Sequence, residues 1–419
     1  MKIKSCDKSY EEVLKIKKEE HRTPKKQSAF FRFLLKTLSA GELKKVGFTH
    51  TEKGMDKLKD GEPVLYLMNH SSFIDLKIAA TLISPRPFSI VCTSDGFVGK
   101  KGLMYGLGCI PTKKFIMDTT LVYDMVHVVR KLNQSILMYP EASYSFDGTA
   151  TDLPESLGKC LKLLKVPVVM IRTHGAFLRD PLYNMLQIRD VNVTAEMKYV
   201  LSPEDIKNKS VADLNKILKK EFTFDNFAEQ RDRRISVAEP FRADGLNRVL
   251  YKCPVCGKEG RMEGKGTELT CHACGKVWTM TEYGELEAAD ADPVFTHIPD
   301  WYKWERSEVR KEIEKGTYKL DIPVDIRMMV NMDTLYHIGE GHLTHDKNGF
   351  NLTGADGKLD YTHSPKESYS LYSDYYWYEI GDMICIGNHD ALYYCFPIDA
   401  GDVVAKTRLA AEELYKIQK

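Results

Sequence analysis

The chain has 419 residues, 60 Lys/Arg against 59 Asp/Glu, and an apolar fraction of 43%. That length exceeds what one hydrophobic core usually fills, so two or three domains are expected. A net charge of +1 singles out no partner class, and the absence of any stretch near the roughly 18 apolar residues of a spanning helix excludes an integral membrane protein.

In chain order, residues 1–60 form a basic segment, with 16 Lys/Arg against 9 Asp/Glu and charged and apolar positions at helical spacing. Phe30, Phe31, Phe33, Leu34, Leu35 and Leu38 follow the basic stretch from Arg22 to Lys26. Such a face grips a lipid headgroup region or packs on a neighbouring domain. The first 28 residues lack the apolar core of a signal peptide, and four of the ten cysteines fall in two Cys-x-x-Cys pairs. Together these point to a reducing cytoplasm.

Residues 61–250 read as an α/β domain. Strand-like runs at 64–68, 88–92, 136–139, 166–171 and 191–200 alternate with helical patterns such as 76–83 and 121–132. Residues 251–282 hold the paired cysteines, and residues 283–318 read as an acidic linker followed by a helix opening near Trp301. Residues 319–419 are a β-rich domain of short strands (342–345, 350–352, 377–380, 383–386 and 391–396) capped by a helix from about Asp402 to Ile417.

Four blocks in the α/β region carry candidate chemistry. Asn69-His70, four residues and Asp75 can deliver a histidine to a sheet edge with a carboxylate to orient it, or can simply start a helix. The second block, Gly108 to Lys114, ends in the cations Lys113 and Lys114; the third is Pro140-Glu141-Ala142-Ser143-Tyr144-Ser145; the fourth is Val166-Pro167-Val168-Val169.

This ordered set resembles the four blocks of the glycerophospholipid acyltransferase family, typified by lysophosphatidate acyltransferase. The resemblance implies transfer of a fatty acyl group from acyl-CoA or an acyl carrier protein to a hydroxyl of a lysophospholipid. His70 would be the general base, oriented by Asp75, and Lys113, Lys114, Glu141, Ser143 and Arg172 would bind the acceptor. Cys109 is expected to be a packing residue. Four positions depart from the family pattern, one of them Ser143, which stands for a threonine in the third block. Lys114 stands where an arginine closes the second block, and Tyr144 replaces the arginine of the third, where Ala142 also replaces a glycine. Lysine lacks the bidentate fork that arginine offers phosphate. Lysophosphatidate is the first acceptor that the resemblance suggests, and the changed cations favour the alternative, a different lysolipid or glycolipid. Arg172 and His174 could supply the missing donors.

Cys253-x-x-Cys256-Gly and Cys271-x-x-Cys274-Gly resemble a zinc ribbon, suited to one structural Zn²⁺ held by four thiolates. Its hairpin mixes Lys258, Arg261 and Lys265 with Glu259, Glu263 and Glu268, so nucleic acid is not expected as a partner. The C-terminal layout resembles a pleckstrin-homology-like domain. The whole suggests a cytoplasmic enzyme, peripheral on the inner face of the cell membrane. The rival from another class is a non-catalytic zinc-ribbon adaptor that binds lipid.

Overall fold

The computed structural model describes residues 2–116, 118–289 and 292–419. Its first eight strands are β1 (Ser5–Asp7), β2 (Thr49–Lys53), β3 (Leu65–Met68), β4 (Phe88–Thr93), β5 (Cys109–Thr112), β6 (Ser135–Met138), β7 (Val168–His174) and β8 (Thr194–Leu201). All but β1 form one sheet, in the order β2-β8-β7-β3-β6-β4-β5. Only the β7–β8 pairing is antiparallel.

β3 explains why the sheet is covered on both faces. Its residues alternate, so Tyr66 and Met68 enter one core with Ile78 and Ile83 of the helix Asp75–Ile83, while Leu65 and Leu67 enter another. That second core holds Val128, Leu161 and Leu218 from the helices Thr119–Arg130, Leu157–Leu164 and Val211–Glu221. A strand buried on both sides reads as a continuous apolar run, as Val64 to Met68 does. The sheet is mixed α/β, as expected. In such sheets the crevice beyond the strand ends is where polar groups converge, and β3 and β6 end there side by side.

Four short strands follow, β9 (Met262–Lys265), β10 (Glu268–Cys271), β11 (Val277–Met280) and β12 (Leu286–Glu287), paired antiparallel in the order β12-β11-β10-β9. Trp278 of β11 is buried against Trp301 of the helix Ile298–Glu314, with ring centroids 4.9 Å apart. Asp290 and Ala291, within the expected linker, lie outside the described residues.

The C-terminal region comprises β13 (Leu320–Met329), β14 (Leu335–Asp346), β15 (Gly349–Gly354), β16 (Leu359–His363), β17 (Tyr372–Trp377), β18 (Gly381–Gly387) and β19 (Leu392–Pro397), then the helix Val404–Gln418. The order is β16-β15-β14-β13-β19-β18-β17, antiparallel throughout, and β1 joins in parallel beside β14. The region is β-rich with a terminal helix, as expected, but three details differ. The aromatic run expected to become a strand only at Trp377 is already extended from Tyr372, with a bulge between Asp374 and Trp377. The long strand β13 was hidden by Pro323, which is tolerated because β19 pairs only from Val324 onward. Residues 1–60 are not uniformly helical: Tyr10–Leu14 and Ala29–Lys45 are helices, while β1 serves the C-terminal sheet and β2 the α/β sheet. Among the described residues no helix is long and apolar enough to cross a membrane.

Candidate active site

The end of β3 is fixed first. Asn69, fully buried, accepts from the Thr173 amide (2.8 Å) and donates to the hydroxyls of Ser71 (2.9 Å) and Thr173 (3.0 Å), tying the turn to the end of β7. The chain then turns into the helix Asp75–Ile83. One oxygen of the Asp75 carboxylate accepts from the amides of Ser71 (2.7 Å) and Ser72 (3.0 Å) and lies 3.1 Å from His70 Nδ1. The same carboxylate oxygen therefore joins the imidazole to the amides of the preceding loop. The helix begins after Ile74 with no side-chain cap, so neither Ser71 nor Ser72 serves as its N-cap.

A carboxylate only accepts, so Nδ1 carries the proton and Nε2 is left with its lone pair. Burial lowers the His70 pKa below the usual value of 6.5, helped by the nearby Lys114 charge and opposed by Asp75. The imidazole is thus neutral near pH 7, as a base must be. The ring is held between two tyrosines, with Tyr139 at 4.3 Å and Tyr144 at 3.9 Å between centroids, and keeps 19% of its side chain exposed. If His70 accepts the proton, kcat/KM should be flat through neutral pH. It should fall tenfold per unit on an acid limb whose midpoint lies below 6.5, which a pH–rate profile measures.

Glu141, at the end of β6, is buried behind the histidine. One oxygen accepts from the His70 amide (3.1 Å), the other from the Thr151 amide (2.9 Å), and burial pushes its pKa up to about 7. It braces the loop that carries the imidazole. Ala142 adopts φ 58°, a left-handed conformation that costs a residue with a Cβ roughly 1–2 kcal/mol. This accounts for the glycine of the family pattern. Ala142→Gly is expected to raise stability by about 0.5–1 kcal/mol, read as a shift in the denaturant midpoint.

The other expected site residues separate. Lys113 and Lys114 line the cleft over His70. Lys113 donates to the backbone carbonyls of Asn388 and His389, whereas Lys114 Nζ sits 4.2 Å above the Tyr372 ring. Ser143 is buried in the wall, its hydroxyl accepting from Arg408 of the C-terminal helix at 3.0 Å. Arg172 does not line the cleft: its guanidinium faces the Phe224 ring at 5.8 Å. His174 Nδ1 bonds Glu229 at 2.8 Å. Cys109 is buried, and the neighbouring Cys92 and burial raise its thiol pKa well above the usual range, which suits packing and not nucleophilic attack.

Several contributors carry no local signal in the sequence. Ser72 donates to buried Asp180, which Arg179 bonds at 2.9 Å while also reaching Glu42 of the N-terminal helix at 2.7 Å. That chain anchors the His70 loop to the helix Ala29–Lys45. From the far side, Tyr372, Asp374, Tyr375, Tyr376 and Trp377 of β17 line the same cleft, whose volume is about 1740 Å³.

Residues 50–173 match the family model described as Acyltransferase. The acyltransferase match takes in His70, Asp75, Lys113, Lys114, Glu141, Ser143 and Arg172, and it stops short of the cysteine knuckles and the C-terminal sheet. No curated protein matches the chain. Seven chains of solved structures match. One is the 1-acyl-sn-glycerophosphate (LPA) acyltransferase PlsC from Thermotoga maritima, 12% identical with a TM-score of 0.36, covering 46% of this chain and 76% of that one.

The four knuckle cysteines offer a separate, closed site. Their sulfurs all lie within 4.8 Å of one another, with Cys253–Cys274 and Cys256–Cys271 at 3.8 Å. Four sulfurs at about 2.3 Å from one Zn²⁺ would form a tetrahedron of edge about 3.8 Å, so the set fits such an ion. Gly257 and Gly275 turn each knuckle with positive φ, returning their amides to the carbonyls of Cys253 and Cys271.

Proposed function

We propose that this chain is an O-acyltransferase that moves a fatty acyl group from an acyl thioester, on CoA or an acyl carrier protein, to a hydroxyl of a lysolipid in phospholipid synthesis. The observation that carries the reading is the His70–Asp75 pair, which lies inside the region matching the acyltransferase model and lines a large cleft, with no bond to Nε2 among the described residues. In this mechanism Nε2 takes the proton of the acceptor hydroxyl as its oxygen attacks the thioester carbonyl carbon. Asp75 stabilises the imidazolium. Collapse of the tetrahedral species breaks the C–S bond, and the imidazolium returns the proton to the departing thiolate, so no side-chain nucleophile is required.

The cleft suits both partners. Met125, Met138, Leu157, Leu218 and Phe222 give it an apolar wall for an acyl chain, Lys114 supplies positive charge near His70, and Lys113 lines the same cleft. Lysophosphatidate is the acceptor that the family blocks suggest. A different lysolipid is the alternative, favoured by the absence of arginine among the described residues lining the cleft.

The helix Ala29–Lys45 supports peripheral attachment to the inner face of the cell membrane. Leu43 is buried toward the α/β domain, while Phe30, Phe33 and Leu38 are 65–69% exposed beside Arg32 and Lys36. Aromatic side chains flanked by cations suit an anionic lipid surface. One structural Zn²⁺ on Cys253, Cys256, Cys271 and Cys274 would brace the ribbon. The antiparallel C-terminal sheet with its closing helix supports a pleckstrin-homology-like layout.

The test is an acylation assay on purified protein with labelled acyl-CoA and acyl carrier protein, the lysolipids presented in anionic vesicles that are also sedimented. Labelled diacyl product and co-sedimentation are expected. Thioester turnover with no lipid product would refute acyl transfer, and protein left in the supernatant would refute attachment.

A further inference from the structure

The C-terminal sheet was the region whose role the sequence did not reveal, and it forms one wall of the cleft over His70. Tyr375 is held in place by donating to the Arg248 carbonyl at 2.8 Å and by packing on Phe146 at 4.4 Å. The Trp377 indole donates to the Tyr372 hydroxyl at 3.0 Å, and that hydroxyl donates to Asp95 on the α/β side. These contacts fix β17 against the crevice. Tyr372 and Asp374, two residues apart on an extended strand, present the same face, and both line the cleft with His70 and Lys114.

Charge is the informative quantity here. A phosphate monoester carries about −1.5 to −2 at neutral pH and is normally met by several cations or a forked arginine. Among the described residues lining this cleft there is no arginine, and its lysines are matched almost one for one by acids. Of the two lysines nearest the base, Lys113 is turned to the backbone carbonyls at Asn388 and His389. Lys114 lies on the ring of Tyr372, whose hydroxyl donates to Asp95, and its charge acts on Asp374 of the same strand face. Burial pushes the Asp374 pKa up to about 7, with the Lys114 charge opposing that rise. Above about pH 7, where it is ionised, the Asp374 carboxylate in the same cleft as Lys114 repels a dianion more than it repels a neutral lipid, and such a repulsive element sets specificity.

We propose that β17 supplies the acceptor subsite, with Asp374 set against Lys114, and that the site takes a hydroxyl-bearing lysolipid whose headgroup has no net charge in preference to a phosphate monoester. This inference rests on the acyl-transfer reading above. The chemistry it names is zero net headgroup charge, which an uncharged monoacylglycerol and a zwitterionic lysophosphatidylcholine both offer.

At about pH 8, where Asp374 is ionised, the experiment measures kcat/KM on the whole 419-residue chain with labelled acyl-CoA and, separately, labelled acyl carrier protein, against three acceptors: monoacylglycerol, lysophosphatidylcholine and lysophosphatidate. The wild type is expected to favour one or both of the first two over lysophosphatidate by tenfold or more, and the preferred one identifies the source. Asp374→Asn is expected to raise the lysophosphatidate-to-neutral ratio at least tenfold, with Asp374→Ser as the second variant should the first not fold. A wild type that prefers lysophosphatidate, or a ratio unmoved in a folded Asp374 variant, overturns the inference and leaves acyl transfer standing. Turnover of none of the three with either donor overturns both.

Discussion

Replacing His70 by alanine is expected to lower kcat/KM for acyl transfer by about 10²–10⁴-fold, the range that a positioned general base supplies. The fold should survive. The loop is held by Asn69, by Asp75 accepting from the Ser71 and Ser72 amides, and by the His70 amide bond to Glu141, none of which needs the imidazole. Circular dichroism and the thermal midpoint should therefore remain near wild type while product formation collapses. An alanine variant that acylates at the wild-type rate would remove His70 from the mechanism.

The second large effect is expected at the knuckles. Cys271→Ser should abolish stoichiometric zinc, read by elemental analysis, and unfold the ribbon hairpins. Four-thiolate sites in small domains contribute apparent free energies of about 10 kcal/mol or more. The consequence should reach beyond the ribbon. Trp278 and Trp301 pack against one another, Trp301 donates to the Lys252 carbonyl at 3.0 Å, and Glu305 accepts from the Lys252 amide at 2.8 Å. Losing the ribbon exposes both indoles, so tryptophan emission should shift to the red as metal is stripped by a chelator. Emission and thermal midpoint unchanged in a metal-free protein would rule out a structural ion.

Local pattern and long-range contact divide what could be read from the chain alone. His70 and Asp75 are five residues apart and their meeting depends on one turn, so the sequence announces them. The same holds for the cysteine knuckles, where glycine follows each pair. The alternating α/β pattern was legible because β3, β6 and β7 are buried runs bounded by turns. Arg408 reaching Ser143, Asp374 beside Lys114, and β1 on β14 join residues hundreds of positions apart, and no spacing rule encodes them. Arg172 illustrates the reverse error. It lies within β7, whose end faces the crevice, but its side chain turns to Phe224, a direction that sequence position does not fix.

The pairing of β1 with β14 bears on how the molecule comes into being. Ser5–Asp7 must wait for Leu335–His337 before finding its place in a sheet. His70 and Asp75, by contrast, meet across a single turn. A nascent chain grown as far as residue 360 would contain the strands that carry His70 while still lacking β17, which lines the same cleft. Because domains fold as they emerge, the capacity to deprotonate a hydroxyl would precede the capacity to choose which lipid presents it. Selectivity would then be the later acquisition in the life of each molecule.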